Sequence, residues 1–252
     1  MKRFSLQFCI LTIILFSGSL QGQHQETRKV KPFSKLIVSP LIDVVLVKGT
    51  EESVQIDIDG VSPKKLNVKN TGKTLRIFLD RARMGTRNEK FVDPDDPSVL
   101  ISRSRYEGAR IKAIITYKNL RKIEIRGEST FVSEDRLGAE KLKIRFMGEV
   151  DARIASVDAK LFKLAAYGEN DILIKGGAAN RQVYKIFGES DINTAGVSSG
   201  VTKISVFGDG TVRLAADHVI KLSSFGESRI YYVGNPDITK TLVLGDTTIS
   251  PL

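Results

Sequence analysis

From residue 110 onward, apolar and polar positions alternate in short runs, and each run breaks at a glycine followed by an acid. The breaks are Gly127-Glu128, Gly148-Glu149, Gly168-Glu169, Gly188-Glu189, Gly208-Asp209, Gly226-Glu227 and Gly245-Asp246, at intervals of 21, 20, 20, 20, 18 and 19 residues. Four and two positions ahead of the glycine stand pairs such as Ile123/Ile125, Ile144/Phe146 and Ile204/Val206. Four and six positions after it stand Ala152/Ile154, Ile172/Ile174, Val212/Leu214 and Ile230/Tyr232. Period-two alternation on both sides of a glycine predicts two short strands joined at a bend, each burying one face. The glycine supplies a backbone conformation that a Cβ resists. No helical period and no helix start signal accompany the pattern.

A unit of about 20 residues cannot bury its own apolar face, but a stack of such units can, each rung bonding to the next at ~4.8 Å. The pattern therefore predicts an all-β solenoid with rungs of about 20 residues, seven of them forming a column roughly 34 Å tall. Changes of length fall at 175–181 and 215–218, between the second strand of one rung and the first strand of the next.

The N-terminal half carries the same idea less regularly. Leu36 and Val38 precede Pro40, and Asp43, Val44 and Leu46 follow it, which aligns Pro40 with the later glycines. The expected organisation is a tail at 24–32 and a single solenoid domain over 33–252. Within that domain, 33–80 reads as diverged first rungs, with strands at 53–58, 65–69 and 74–79. Residues 81–108 read as a charged insertion loop with one short hairpin near Val99–Ile101, and 110–252 as the regular repeats. The insertion carries Arg81, Arg83, Arg87, Arg103 and Arg105 around Asp93-Pro94-Asp95-Asp96-Pro97. Loops of that length are uncommon in compact domains and are often functional or disordered.

Ahead of all this, residues 1–23 read as a secretory signal. Lys2 and Arg3 open it, an apolar run extends from Phe4 to Phe16, and Ser17-Gly18-Ser19 supplies small residues for cleavage. The run is too short to span a bilayer, which takes about 20 apolar residues. Its removal takes away Cys9, the one cysteine, and lowers the formal charge from +10 to +8. No later stretch resembles a transmembrane helix. The expected mature chain is exported, to the periplasm, the cell surface or beyond. With 41% hydrophobic and 27% charged residues it has the composition of an ordinary globular domain, and with one cysteine it cannot be a disulfide-stapled miniprotein.

The segment from Val38-Ser39-Pro40-Leu41-Ile42-Asp43 to Val47-Lys48-Gly49, the run Ile115-Thr116-Tyr117-Lys118-Asn119-Leu120-Arg121-Lys122-Ile123 and the glycine-centred repeats together resemble the bacterial DUF2807 family. That family, also called the putative autotransporter adhesin head GIN domain, is common in Bacteroidetes. The resemblance covers nearly the whole chain from Val30. It implies a right-handed β-helix-like fold and export, and it supplies no catalytic residues. The commonest bend of the family reads Ser-Gly-Ala-Ser, so the acids of this chain take no role from it.

Three rows of residues carry the candidate chemistry. Glu128, Glu149, Glu169, Glu189, Asp209, Glu227 and Asp246 should stack at one corner, with Asp151, Asp171 and Asp191 two residues further on. Unit charges ~5 Å apart repel by about 0.8 kcal/mol even in bulk water, so such a column recruits cations or sits beside bases. The plainer reading has the acids solvated, with turn side chains bonding the bend backbone. A second row, immediately before each glycine, comprises Met147, Tyr167, Phe187, Phe207 and Phe225. Alternation places it outside, as an apolar interaction patch; the other reading has the bend tuck it into a corner of the core. The third row, Lys122, Lys143, Lys163, Lys203 and Lys221, faces solvent. It either greets an anionic glycan, lipid or nucleic acid or keeps the sheet from pairing with other chains.

Catalysis has little to build on. His24 and His218 form no triad with an acid and a nucleophile, and no P-loop, dinucleotide fingerprint, metal-binding histidine cluster or glycine-rich calcium repeat is present. No cofactor or metal is expected. The sequence-based expectation is a non-enzymatic binding or adhesion module whose partner is an envelope glycan, protein or lipid and not nucleic acid. Its expected face comprises Tyr167, Phe187, Phe207 and Phe225 with the carboxylates Glu149, Asp151, Glu169, Asp171, Glu189, Asp191, Asp209 and Glu227. The alternative is a carbohydrate-active β-helix enzyme working through Glu169, Asp171, Glu189 and Asp191.

Overall fold

The computed structural model describes residues 24–85, 88–94 and 96–252. The secretory signal expected at 1–23, and Arg87 and Asp95 of the insertion, lie outside the described residues. In chain order the strands are β1 (His24–Lys29), β2 (Lys35–Val38), β3 (Ile42–Lys48), β4 (Ser53–Asp59), β5 (Leu66–Thr71) and β6 (Thr74–Leu79). They continue as β7 (Asn88–Val92), β8 (Leu100–Ser104), β9 (Arg110–Tyr117), β10 (Lys122–Arg126), β11 (Ser129–Phe187) and β12 (Ser190–Thr194). The last six are β13 (Val197–Phe207), β14 (Gly210–Ala215), β15 (Val219–Phe225), β16 (Ser228–Val233), β17 (Asp237–Leu244) and β18 (Thr247–Pro251).

These strands wind a β-solenoid with rungs of about 20 residues. Segments that precede the glycines stack in parallel as one column, β2–β10–β11 and then β13, β15 and β17. Segments that follow them stack as a second column, β3–β11 and then β12, β14, β16 and β18. Inward side chains from the two columns, among them Ile125, Phe146, Ile186 and Val206 against Phe131, Ile154, Ile172 and Val212, are fully buried. Each rung also has a short third side. Gly177–Ala179 pairs with Val197–Ser199 in register, and Val157, Ala179 and Val197 close the core there. The interval of 18 residues shortens this side: Asp217 N–H donates to the Ser199 carbonyl at 2.8 Å and His218 N–H to the Gly200 carbonyl at 3.0 Å.

The bend glycines stack one on another. Gly208 holds φ at +115°, and a Cβ there would sit 2.7 Å from the Gly188 carbonyl oxygen. Pro40 lies over Gly127 in the same stack, and Leu41 N–H donates to the Glu128 carbonyl at 3.2 Å. The segment β2–Pro40–β3 thus stacks in parallel on β10 and the start of β11.

The rest of the N-terminal half departs from the expectation. β6 pairs in parallel with β2, and β9 with β3. Together β6 and β9 form the rung stacked outside β2–β3, although they follow it in sequence. The charged insertion occupies the bend of that rung, and its hairpin is the separate two-stranded sheet β7–β8, longer than the short hairpin expected near Val99–Ile101. β4 and β5 are not rungs: they pair antiparallel with β9 and β6 and close the end of the stack. Residues 24–32 are not simply a tail, because β1 adds antiparallel to β4. Alternation reports which side chains are buried and is blind to strand direction, so a cap and a rung read alike.

Candidate functional site

The row before the glycines lies on the outside. Tyr167 and Phe187 stack with ring centroids 5.0 Å apart and planes parallel, and Phe187 and Phe207 stack at 4.9 Å and 3°. Parallel in-register pairing sets this spacing, since Phe187 pairs with Phe207 and Phe207 with Phe225. Tyr167 and Phe187 are half-buried against their neighbours, while Phe207 and Phe225 are 43% and 57% exposed. Leu244, in register with Phe225 and half exposed, extends the row by one rung. It precedes Gly245 at the same spacing as the other members of the row precede their glycines. Met147, in register with Arg126, heads the row. The product is an apolar ridge in which Tyr167, Phe187 and Phe207 stack in series with Phe187 between the other two rings.

Across the bend, the carboxylates lie on the second column. Glu149, Asp151, Glu169, Asp171, Glu189 and Asp191 line one shallow groove of about 350 Å³. The two acid rows differ in their partners. Arg153 bridges Asp151 at 2.7 Å and Asp171 at 2.9 Å, and Arg213 holds Asp191 at 2.6 Å. These arginines stand two residues beyond an aspartate or its register partner, a spacing visible in Asp151-Ala152-Arg153. Asp209 accepts from Glu227 N–H at 3.3 Å, so one acid of the outer row bonds the next rung's backbone. Glu149, Glu169 and Glu189 are exposed. Among the described residues, no three His, Cys, Asp or Glu side chains converge with metal-ligand geometry.

The third row proves longer than expected. Lys35 pairs with Lys122, Lys122 with Lys143, and Lys203 with Lys221, all on the outer face of the column that carries the ridge. Val183 takes the place of a lysine in one rung, opposite Lys203. Two positions further along the strands lie Glu124, Arg145 and Lys185. Lys122, Lys143, Arg145, Lys163, Lys185 and Tyr167 line a single depression of about 220 Å³. Glu124 is the one acid in this region. Its buried carboxylate accepts from Lys122 Nζ at 2.8 Å and from the Arg126 guanidinium, with Arg145 at 3.7 Å. Burial alone would raise that carboxyl, and the Lys122 and Arg126 hydrogen bonds overcome it, holding Glu124 below the usual carboxylate range. Arg126 also donates to the Arg83 carbonyl at 2.9 Å, tying the face to the start of the insertion.

A second cavity, of about 690 Å³, opens beside the insertion. Phe78, Tyr106, Lys69, Arg81, Arg83 and Arg105 are among its walls, with the Arg83 guanidinium over the Phe78 ring at 4.5 Å.

Comparisons with known proteins follow the fold. The model of the family DUF2807, described as "Putative auto-transporter adhesin, head GIN domain", matches residues 32–236. No curated protein matches. Among solved structures, the chain is similar to a putative adhesin from Bacteroides fragilis, with a TM-score of 0.71 and 20% identity over 92% of this chain and 98% of that one. A putative adhesin from Parabacteroides distasonis superposes with a TM-score of 0.66 at 16% identity, over 92% and 97% of the two chains. A protein from the same organism, named a putative lipid binding protein, gives 0.58 at 15% identity over 90% and 96%. At these identities the likeness shows the fold. No helix among the described residues is long and apolar enough to cross a membrane.

Proposed function

The chain belongs to the DUF2807 family, and from that premise we propose that it is an exported, non-enzymatic binding module that engages an envelope or extracellular ligand along one flank of the solenoid. The observation that carries this reading is the ridge of Tyr167, Phe187, Phe207 and Phe225, kept outside a core that is already complete without it. A contiguous apolar strip on an otherwise charged surface marks an interaction site, and repetition across rungs gives a partner the same contact several times. The names of the family and of its structural relatives as putative adhesins agree with a binding role. Of the four carboxylates of the catalytic alternative, Asp171 and Asp191 are engaged by Arg153 and Arg213, which leaves only Glu169 and Glu189 free of an arginine partner among the described residues and speaks for a binding role over a catalytic one.

The test is the double substitution Phe187→Ser with Phe207→Ser, read by retention of the secreted chain on isolated cell envelopes of the producing bacterium. Retention should fall at least tenfold. The melting temperature should fall by only a few degrees, because each lost ring pair contributes about 0.5–1.5 kcal/mol beyond its burial. Unchanged retention would overturn the reading.

A further inference from the structure

The lysine row has no structural purpose that the fold explains. Lysines on edge strands discourage pairing with other chains, but β10, β13 and β15 are interior strands, hydrogen-bonded on both sides. Nothing there needs protecting. The cations also work against one another. Lys141 above all, with the Lys143 site's partial burial and with Lys163, Lys122 and Arg145, pushes the Lys143 ammonium below its ordinary range. Glu124 offsets part of this on one rung, and no ion pair engages Lys143, Lys163, Lys185, Lys203 or Lys221 among the described residues. A surface that holds uncompensated like charges one rung apart is built for an external anion.

The same outer face carries the apolar ridge. Lys143 and Met147 are four residues apart on one strand, so lysine row and ridge run parallel about 13 Å apart. Ring stacking selects among anionic partners. A sugar packs on the face of an aromatic ring, and here Phe187 is stacked on both faces, Tyr167 has Phe187 on one face and the Arg145 guanidinium 5.9 Å from its centroid, and Phe207 has Phe187 on one face. These rings, with Phe225 and Leu244 more exposed still, form a blade suited to the boundary between headgroups and acyl chains. A flat face with an apolar rim and lysines behind it is the arrangement by which proteins lie on an anionic bilayer.

We infer that this face docks on an anionic lipid surface, with Lys122, Lys143, Lys163, Lys203 and Lys221 over the lipid phosphates and the ridge from Phe187 to Leu244 inserted at the interface. The inference rests on the reading of the ridge as a binding strip and names what that strip binds.

Sedimentation of the secreted chain with vesicles tests it. Vesicles of mixed phosphatidylcholine and phosphatidylglycerol should retain the chain at least tenfold better than pure phosphatidylcholine, with the advantage shrinking as salt is raised. Lys143→Gln with Lys163→Gln should weaken retention about fivefold for each charge removed, because each lysine near an anionic surface contributes ~1 kcal/mol. Phe207→Ser with Phe225→Ser should lower retention on the same anionic vesicles and leave its salt dependence. All variants are compared at matched melting temperatures, and Lys64→Gln with Lys90→Gln, away from the face, serves as the charge control. Equal retention on both lipid mixtures, or a control variant as weak as the lysine-row variant, would overturn the inference. So would failure on vesicles together with lysine-dependent binding of a soluble polyuronate. Should vesicle binding fail while envelope retention still depends on Phe187 and Phe207, the lipid assignment falls and the binding-module reading stands.

Discussion

At the scale of single residues, the bend glycine is the most constrained position in the rung. Its φ lies where side chains are strained, and the neighbouring rung's backbone occupies the space a Cβ would take. Gly208→Ala should therefore cost about 3 kcal/mol, the upper end of the range for strained backbone, in a urea melt. Gly72, in the β5–β6 hairpin, also has positive φ but nothing within 4 Å of its missing Cβ. There Gly72→Ala should cost only about 1 kcal/mol, and equal losses at the two sites would show that the stacking contact contributes nothing. The glycine spacing alone revealed these bends. The fate of the carboxylates was less legible, because their pairing with Arg153 and Arg213 depends on which side chains share a face across rungs. The exposed ridge follows from strict alternation continued to the last residue before the bend.

At the scale of the strand, Glu124 shows how a charged face is held in place. Its carboxylate sits beneath Lys122, Arg126 and Arg145 on three registers of one sheet. Since its pKa is lowered on folding, its contribution to stability is present above the ordinary value of 4.5 and is lost as pH falls through the folded value. Glu124→Gln should lower stability at pH 7 by about 1.5–3 kcal/mol, the usual range for hydrogen bonds to a charged group. The difference from the unsubstituted chain should shrink below about pH 4.5, as urea midpoints at neutral and acid pH would report. A difference that persists undiminished in acid would show that packing, not charge, accounts for the loss. Alternation made the strands themselves easy to find, including β2 and β3 around Pro40. Their order in the stack was hidden. The rung made by β6 and β9 is interrupted by the insertion and stacks on a rung that precedes it in sequence, so no fixed period could align it.

At the scale of the molecule, a solenoid must end without recruiting another copy of itself, because every rung is a template for the next. The N-terminal end is closed by reversing direction, with β5 antiparallel to β6 and with β4 and β1 antiparallel beyond β9. The other end is closed differently. Among the described residues, β17 and β18 each have one hydrogen-bonded neighbour, which makes them edges. The register of β17 slips after Leu222, leaving Thr241 as an extra residue, and Lys240 stands in register with the buried Leu222. Pro251, in register with Tyr232, lacks an N–H to offer at the end of β18. Bulge, inward-register charge and proline are the devices that blunt an edge strand. Deleting Thr241 and making Lys240→Val would restore a flat apolar edge continuous with Ile238 and Leu242, both already exposed. Light scattering on a sizing column should then show a mass that climbs with protein concentration, while the unsubstituted chain keeps one mass over the same range. Constant mass in the variant would mean that the end is protected by shape rather than by these residues, and the blunting argument would fail.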